Sequence, residues 1–210
     1  MRFADLDAVT VDGFGTLVGL ADPVPLLANA LRERGIERDH EVVRHAFRTE
    51  VSFYKPRAAT GRDDETLAAL RLDCTRVFLE AAAADLAPTS FVDAFMSSIV
   101  LQPIEGAVET VTALRRRGLS VAVVSNWDVG LAGMLERIGV APLFTTIATT
   151  AEAGAAKPDP AVFRLALDRL GVEPRRALHV GDEPEDAEGA AAAGMRFAHA
   201  PLASAFEGWS

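Results

Sequence analysis

Four short stretches of the chain carry side chains able to do polar chemistry. Asp12 stands in Val11-Asp12-Gly13-Phe14-Gly15-Thr16-Leu17, Ser125 and Asn126 in Val123-Val124-Ser125-Asn126-Trp127-Asp128, Lys157 in Lys157-Pro158-Asp159-Pro160, and Asp182 with Asp186 in the run from Val180 to Asp186. A carboxylate at the tip of a buried strand, facing the N–H groups of the loop Gly13 to Thr16, is placed to attack an electrophilic phosphorus or carbon. A second carboxylate, Asp182, repels it unless a cation lies between them. Oxygen-only ligands of this kind suit Mg²⁺, which keeps several waters and accepts one or two protein carboxylates. Ser125 and Asn126 can donate to phosphoryl oxygens, and Lys157 can neutralise charge on Asp12 and on a transferring group.

Each motif alone is also ordinary turn chemistry. Asp159 and Asp128 read equally as helix caps, Gly181 as a turn residue, and Asp186 and Glu188 as solvated first-turn acids. Order and location favour the joint catalytic reading, because an acid, a hydroxyl, a cation and an acid pair each follow a strand-like run.

Those runs define the elements. Ala8 to Val11 is short, apolar and β-branched and ends at Asp12. From Pro23 to Val100 the apolar spacing turns helical, through Leu26, Leu27, Ala30 and Leu31, then Val42, Val43, Ala46, Phe47 and Val51. A third helix covers Glu65 to Ala84, and a fourth follows Pro88 with Thr89 or Ser90 as N-cap. Beyond Pro103, strands at Ser120 to Val124, Phe144 to Ala148, Ala177 to Val180 and Arg196 to Ala198 alternate with helices. The helices span Ala107 to Arg117, Val129 to Ile138, Ala161 to Leu170 and Pro184 to Ala193. Asp159-Pro160 is a helix start, since the carboxylate caps free N–H groups and proline has none to satisfy.

Strands joined by helices require parallel pairing with right-handed crossovers, hence a layered α/β sheet. Ser125 follows Asp12 by 113 positions, far more than one crossover uses, so the surplus forms an inserted helical domain leaving the chain just past the first strand. The expected core is 1–18 with 102–210, and the expected cap is 19–101. Substrate gating by that cap is part of the expectation.

The whole chain has 210 residues, half of them hydrophobic, with 21 Lys plus Arg against 30 Asp plus Glu for a formal charge of −9. That composition rules out intrinsic disorder, and the charge repels phosphate backbones and anionic lipid surfaces. The expected partner is a small, anionic substrate, with no nucleic acid and no membrane, and with the oligomeric state open. Met1 to Asp7 has no apolar stretch and no later run is long enough to span a bilayer, so a cytoplasmic location is expected. The single Cys74 reads as a small buried hydrophobe, His179 as a core strand residue, and His40, His45 and His199 show no ligand spacing.

With these motifs the chain resembles the haloacid dehalogenase-like hydrolase superfamily over essentially its whole length, in the helical-cap branch. Lys157-Pro158-Asp159-Pro160, Gly181-Asp182 with Asp186, and Gly189-Ala190 with Ala193-Gly194-Met195 resemble the phosphatase-type sequences of that family. The resemblance implies a Rossmann-like parallel sheet with helices on both faces and an inserted all-helical cap domain. It implies that Asp12 is the nucleophile, Ser125 the second-motif hydroxyl, Lys157 the third-motif cation, and Asp182 with Asp186 the acidic fourth motif. It also implies Mg²⁺ held by Asp12, the backbone carbonyl of Phe14 and the acidic pair, with Thr16, Ser125, Asn126 and Lys157 contacting substrate.

Position 14 departs from the phosphatase pattern, which carries an Asp there as proton donor to the leaving oxygen; here it is Phe14. General acid–base help is worth about 10²- to 10⁴-fold, or roughly 3 to 5 kcal/mol, so an ordinary alkyl phosphate should turn over slowly. The leading reading is therefore a Mg²⁺-dependent phosphohydrolase that is slow or works on a leaving group needing little protonation, such as an acyl phosphate. A 2-haloacid dehalogenase is the alternative, since its relatives carry an aromatic Tyr at that position and halide leaves without a proton; Gly181-Asp182-Glu183 argues against it. A third reading is a catalytically impaired member serving as a binding module. Carbon–phosphorus cleavage would need a cap lysine, and Lys55 beside Pro56 offers nothing that marks it as one. Within the insertion, Lys55, Arg57 and Arg62 are candidate anion binders, with surface solvation the simpler role, and Phe53 and Tyr54 are candidate apolar walls.

Overall fold

A computed structural model describes residues 3–209. In chain order its first half contains β1 (Ala8–Asp12), β2 (Val18–Leu20), α1 (Val24–Arg32), α2 (His40–Tyr54), α3 (Asp64–Ala81), α4 (Pro88–Ser98) and β3 (Leu101–Pro103). The second half contains α5 (Ala107–Arg116), β4 (Ser120–Ser125), α6 (Leu131–Arg137), β5 (Thr146–Thr149), α7 (Thr150–Ala153), α8 (Ala161–Leu170), β6 (Ala177–Gly181), α9 (Pro184–Ala192) and β7 (Arg196–His199).

Five strands form one sheet in the order β5-β4-β1-β6-β7, every neighbour parallel. All five residues of β1 are buried, as the central strand of a sheet covered on both faces must be. Helices lie on both sides. Ala8, Ala122, Val124, Ala148 and Ala177 face a core filled by Val162, Phe163, Ala166 and Leu167 of α8 and Ala190 of α9. Val9, Val11, Val121 and Val123 alternate with them and are fully buried on the opposite face. β2 pairs with β3 in a separate two-stranded ribbon.

The described residues divide into two units, one comprising the chain up to Gly19 and from Leu101 onward, the other Leu20–Val100. The second unit is helical. Its core gathers Leu27, Leu31, Val43, Phe78, Phe91 and Phe95, with Phe78 stacked on Phe91 at 6.0 Å between ring centroids.

Several local expectations are corrected. Neither Thr89 nor Ser90 caps α4: the helix begins at Pro88, with Ala87 at the N-cap, and the Ser90 hydroxyl donates to the Ala87 carbonyl. β5 starts two residues later than the sequence suggests, because a 3₁₀ turn over Ala141–Leu143 takes up the chain first. Gly181 is not a turn residue but ends β6.

Candidate active site

Parallel register determines which groups meet. Asp12 pairs with Val124 and Val11 with Val180, so Asp12, Ser125 and Asp182 leave the sheet at the same carboxyl edge. The chain builds from β1 out to β4 and β5, then returns to β6 and β7 on the other side of β1. At that reversal the loops diverge and leave the crevice in which open α/β sheets bind ligands.

After Asp12 the backbone folds tightly on itself. The N–H groups of Leu17 and Val18 donate to the Gly13 carbonyl at 3.1 and 2.9 Å, and Gly15 N–H donates to the Val18 carbonyl at 2.9 Å. Gly15 has φ +99°, and a Cβ there would collide with the Asp182 carboxylate. The buried Thr16 hydroxyl donates to Asp182 Oδ1 at 3.1 Å. This loop therefore holds Asp182 close to Asp12, and only glycine satisfies both the backbone angle and the clearance.

Lys157 lies at the centre of the site, 6% exposed. Its Nζ donates to Asp12 Oδ1 at 2.5 Å, to Asp186 Oδ1 at 2.6 Å and to the Val124 carbonyl at 3.3 Å. Burial works against its charge, but the carboxylates of Asp12 and Asp186 outweigh it and hold the ammonium above the usual lysine range. Asp12 is itself 6% exposed. Burial raises its carboxyl to about 7, with Lys157 opposing and the Asp186 and Asp182 charges adding to the rise.

Asp186 is 1% exposed, so the reading as a solvated first-turn acid is wrong for it. Its Oδ1 also meets His179 Nε2 at 3.2 Å, and its Oδ2 accepts from the Glu183 N–H at 3.2 Å. Burial alone would raise its carboxyl, yet the His179 hydrogen bond and the Lys157 charge bring it down to about 2. His179, fully buried, is kept below the usual imidazole range by burial, and its Nδ1 pairs with Thr10 Oγ1 at 2.8 Å. A Cβ on Gly181 would overlap the Asp186 carboxylate, which explains glycine at the end of β6.

Asn126 braces the site. Its Oδ1 accepts from Lys157 N–H at 2.8 Å and its Nδ2 donates to Glu185 Oε2 at 3.1 Å, tying the segments of Asn126 and Lys157 to the first turn of α9. Ser125, 2% exposed, ends β4 against Gly13, where a Cβ would approach its Oγ to 2.7 Å. Asp128 accepts from Gly130 N–H at 2.8 Å just before α6, and Asp159 from Ala161 N–H at 2.9 Å at the start of α8, but the N-cap residues are Gly130 and Pro160, so the reading of the two acids as helix caps is corrected to local turns that lead into the helices. Phe14 is 45% exposed, and its ring centroid lies 6.2 Å from that of Trp127.

The structure thus brings Asp12, Thr16, Ser125, Asn126, Lys157, Asp182 and Asp186 to one edge of the sheet, with Phe14 beside them. One oxygen from each of Asp12, Asp182 and Asp186 lies within 4.8 Å of the others, a set of hard donors that fits Mg²⁺. Sequence reasoning missed Thr10, His179 as a partner of Asp186, and Glu185. No signal in the sequence points to these pairings, which depend on strand register and on the direction of the first turn of α9. In the helical unit, Lys55, Arg57 and Arg62 are exposed, with Arg57 lying over the Phe53 ring at 4.0 Å, and Phe53 and Tyr54 pack against the helical core.

No helix among the described residues is long and apolar enough to cross a membrane. A family model described as haloacid dehalogenase-like hydrolase matches residues 6–194. The chain is 44% identical over 102 residues to the mouse haloacid dehalogenase-like hydrolase domain-containing protein 3, covering 48% of this chain and 41% of that protein. It is 43% identical over 84 residues to a phosphoserine phosphatase of Thermus thermophilus, covering 39% of this chain and 34% of that one. The matched part is therefore well under half the length of these relatives. The crystal structure of L-2-haloacid dehalogenase from Xanthobacter autotrophicus superposes with a TM-score of 0.67 at 24% identity, covering 96% of this chain and 82% of that chain, a likeness of fold.

Proposed function

Because the chain belongs to the haloacid dehalogenase-like hydrolase family, and is on that ground a hydrolase, we propose that it is a Mg²⁺-dependent phosphohydrolase acting on a small phosphorylated metabolite through an aspartyl-phosphate on Asp12. The observation that carries the reading is the charge of the cluster. Three carboxylates within 4.8 Å are met by one lysine, leaving a formal −2 beside the group that must attack an anion. Similarity to a protein named a phosphoserine phosphatase supports the same reading.

Asp12, Asp182 and the backbone carbonyl of Phe14 would hold the metal, with Asp186 turned to Lys157 and His179 as a positioning group. When bound, Mg²⁺ supplies positive charge to the phosphoryl oxygens and to the carboxylates around it. Lys157 holds Asp12 in place and favours its ionised form. An Asp12 oxygen forms a bond to phosphorus as the leaving oxygen departs with the electron pair of the bond that breaks. Water then attacks the same phosphorus, regenerating the Asp12 carboxylate and releasing inorganic phosphate. Ser125 lies at the edge where the phosphoryl oxygens would be, and Asn126 fixes the backbone of Lys157.

Phe14 has no proton to give, so leaving groups that depart without one are favoured. The same feature favours the dehalogenase alternative, in which halide leaves unprotonated, and the experiment separates the two. Phosphate and halide release are measured with Mg²⁺ and with chelator, on alkyl phosphates, acetyl phosphate and 2-haloacids. Expected is Mg²⁺-dependent phosphate release, fastest on acetyl phosphate among these, lost in Asp12→Asn. Phe14→Asp should speed an alkyl phosphate by about 10²-fold or more. Halide release without metal, or a folded protein silent on every compound, overturns the proposal.

A further inference from the structure

Among the described residues, Phe14 is the only aromatic in the set of exposed large hydrophobics, and it stands two residues from Asp12. A phenyl ring that keeps nearly half of its surface in water beside a highly charged site forfeits part of the burial that makes aromatic side chains stabilising. It is not a floppy surface group. The backbone on both sides of it is pinned by the turn from Gly13 to Val18, and residue 14 itself forms an isolated parallel bridge with Val18. Trp127 faces it from the loop after the adjacent strand, two residues beyond Ser125, with 38° between the ring planes. That loop is pinned as well: Trp127 N–H donates to the Ser125 carbonyl at 3.0 Å, and Ala151 N–H donates to the Trp127 carbonyl at 3.3 Å. Two rings carried on pinned backbone, 6.2 Å apart and tilted rather than stacked, therefore stand on the loops that follow Asp12 and Ser125, at the carboxyl edge of the sheet.

We propose that Phe14 and Trp127 form an aromatic subsite for the leaving group, and that the substrates are phosphate monoesters of aromatic hydroxyl compounds. This rests on the phosphohydrolase reading and names its substrate class. Two consequences of one residue converge on it. Phe14 removes the proton donor that an alkoxide, with a basicity near that of hydroxide (water pKa about 15.7), would need. A phenolate, whose conjugate acid has a pKa of about 10, departs with far less help. The same ring supplies the flat apolar surface on which an aryl group stacks in tilted or offset geometry. In the reaction an Asp12 oxygen bonds to phosphorus, the bond from phosphorus to the aryl oxygen breaks with its electron pair on that oxygen, and the phenolate takes a proton from solvent. Water then displaces Asp12 from phosphorus and inorganic phosphate leaves.

The test uses the whole chain with Mg²⁺ and three probes: phenyl phosphate, cyclohexyl phosphate of similar size without a planar ring, and acetyl phosphate with a good leaving group and no ring. Expected is turnover of phenyl phosphate with a KM well below that of acetyl phosphate, and slow turnover of cyclohexyl phosphate. In Trp127→Leu the ratio of the phenyl phosphate KM to the acetyl phosphate KM should rise roughly tenfold, about 1.4 kcal/mol, and Trp127→Phe should restore most of it. Equal ratios in wild type, Trp127→Leu and Trp127→Phe, with acetyl phosphate turned over, overturn the aromatic subsite while leaving a phosphohydrolase. Cyclohexyl phosphate matching phenyl phosphate also overturns it. Absence of phosphate release from all three overturns the underlying reading together with the inference.

Discussion

Glu50 gives the helical unit a pH dependence whose sign and size follow from its surroundings. It sits on α2, only 4% exposed, where that helix packs on α3, and the Cys74 thiol from α3 hydrogen-bonds its carboxyl. Burial raises the carboxyl from 4.5 to about 7, the thiol contact opposing weakly. The folded pKa lies above the unfolded one, so the folded state holds a proton that the unfolded state releases. The resulting stability is fully present below about pH 4.5 and is lost as pH rises through about 7. A gap of about 2.5 units at roughly 1.36 kcal/mol each corresponds to about 3 kcal/mol, most of it lost between about pH 5 and about pH 8. Urea unfolding followed by helical ellipticity reads the helical unit. Trp127 and Trp209 both belong to the sheet-bearing unit, so tryptophan fluorescence reads that one separately. Glu50→Gln keeps the size and the acceptor and removes the titration. Its unfolding free energy should be nearly flat over that window and should exceed wild type at about pH 8 by up to about 3 kcal/mol. Parallel wild-type and Glu50→Gln profiles across the window, or a variant weaker than wild type at the alkaline end, would refute the reasoning.

Two further outcomes follow from the acidic cluster. Gly181→Ala should force the Asp186 carboxylate away from Lys157 and His179, lowering stability by about 1 to 3 kcal/mol in urea and reducing phosphate release with it. Mg²⁺ should raise the unfolding temperature of the sheet-bearing unit by mass action, about 3 kcal/mol at a hundredfold excess over Kd, and Asp182→Asn should lose most of that shift.

The central strands were legible because β1, β4 and β6 are buried almost throughout and therefore appear as apolar runs, β-branched in Val9, Thr10 and Val11. The strand-end groups were legible for the same reason, since the end of each run marks where a side chain emerges. Several elements of three or four residues were not. β2 and β3 are too short to show a period. α7 left a trace that was overlooked, a capping box in which Thr149 and Glu152 satisfy each other's backbone N–H groups. The inner partnership of the site was beyond sequence reasoning. Asp186 follows His179 by seven residues across a strand, a turn and a helix start, and nothing in that spacing reveals that the carboxylate turns inward to Lys157 rather than outward to water.

That inward turn decides how the two hydrolytic chemistries compare. A dehalogenase attacks carbon in a substrate that itself bears a carboxylate, and a phosphohydrolase attacks a phosphoryl dianion, so both must bring an anion to Asp12. Lys157 is already engaged by two of the three carboxylates. Two like charges at about 4.8 Å repel by about 3.5 kcal/mol at an effective dielectric constant of about 20, so the cluster opposes any further anion brought to Asp12. Burial raises the Asp12 carboxyl to about 7, with Lys157 opposing and the Asp186 and Asp182 charges adding to the rise. A second lysine or arginine would relieve the field for a haloacid, and none of the ion pairs at this cluster supplies one. The three carboxylates could hold a divalent ion, which would cancel the residual −2 and supply positive charge to a phosphoryl group. On the proposed phosphohydrolase reading, Phe14 calls for a leaving group that departs without a proton, as in a dehalogenase, while Asp182 and Asp186 call for the divalent ion of a phosphatase, and an acyl or aryl phosphate satisfies both.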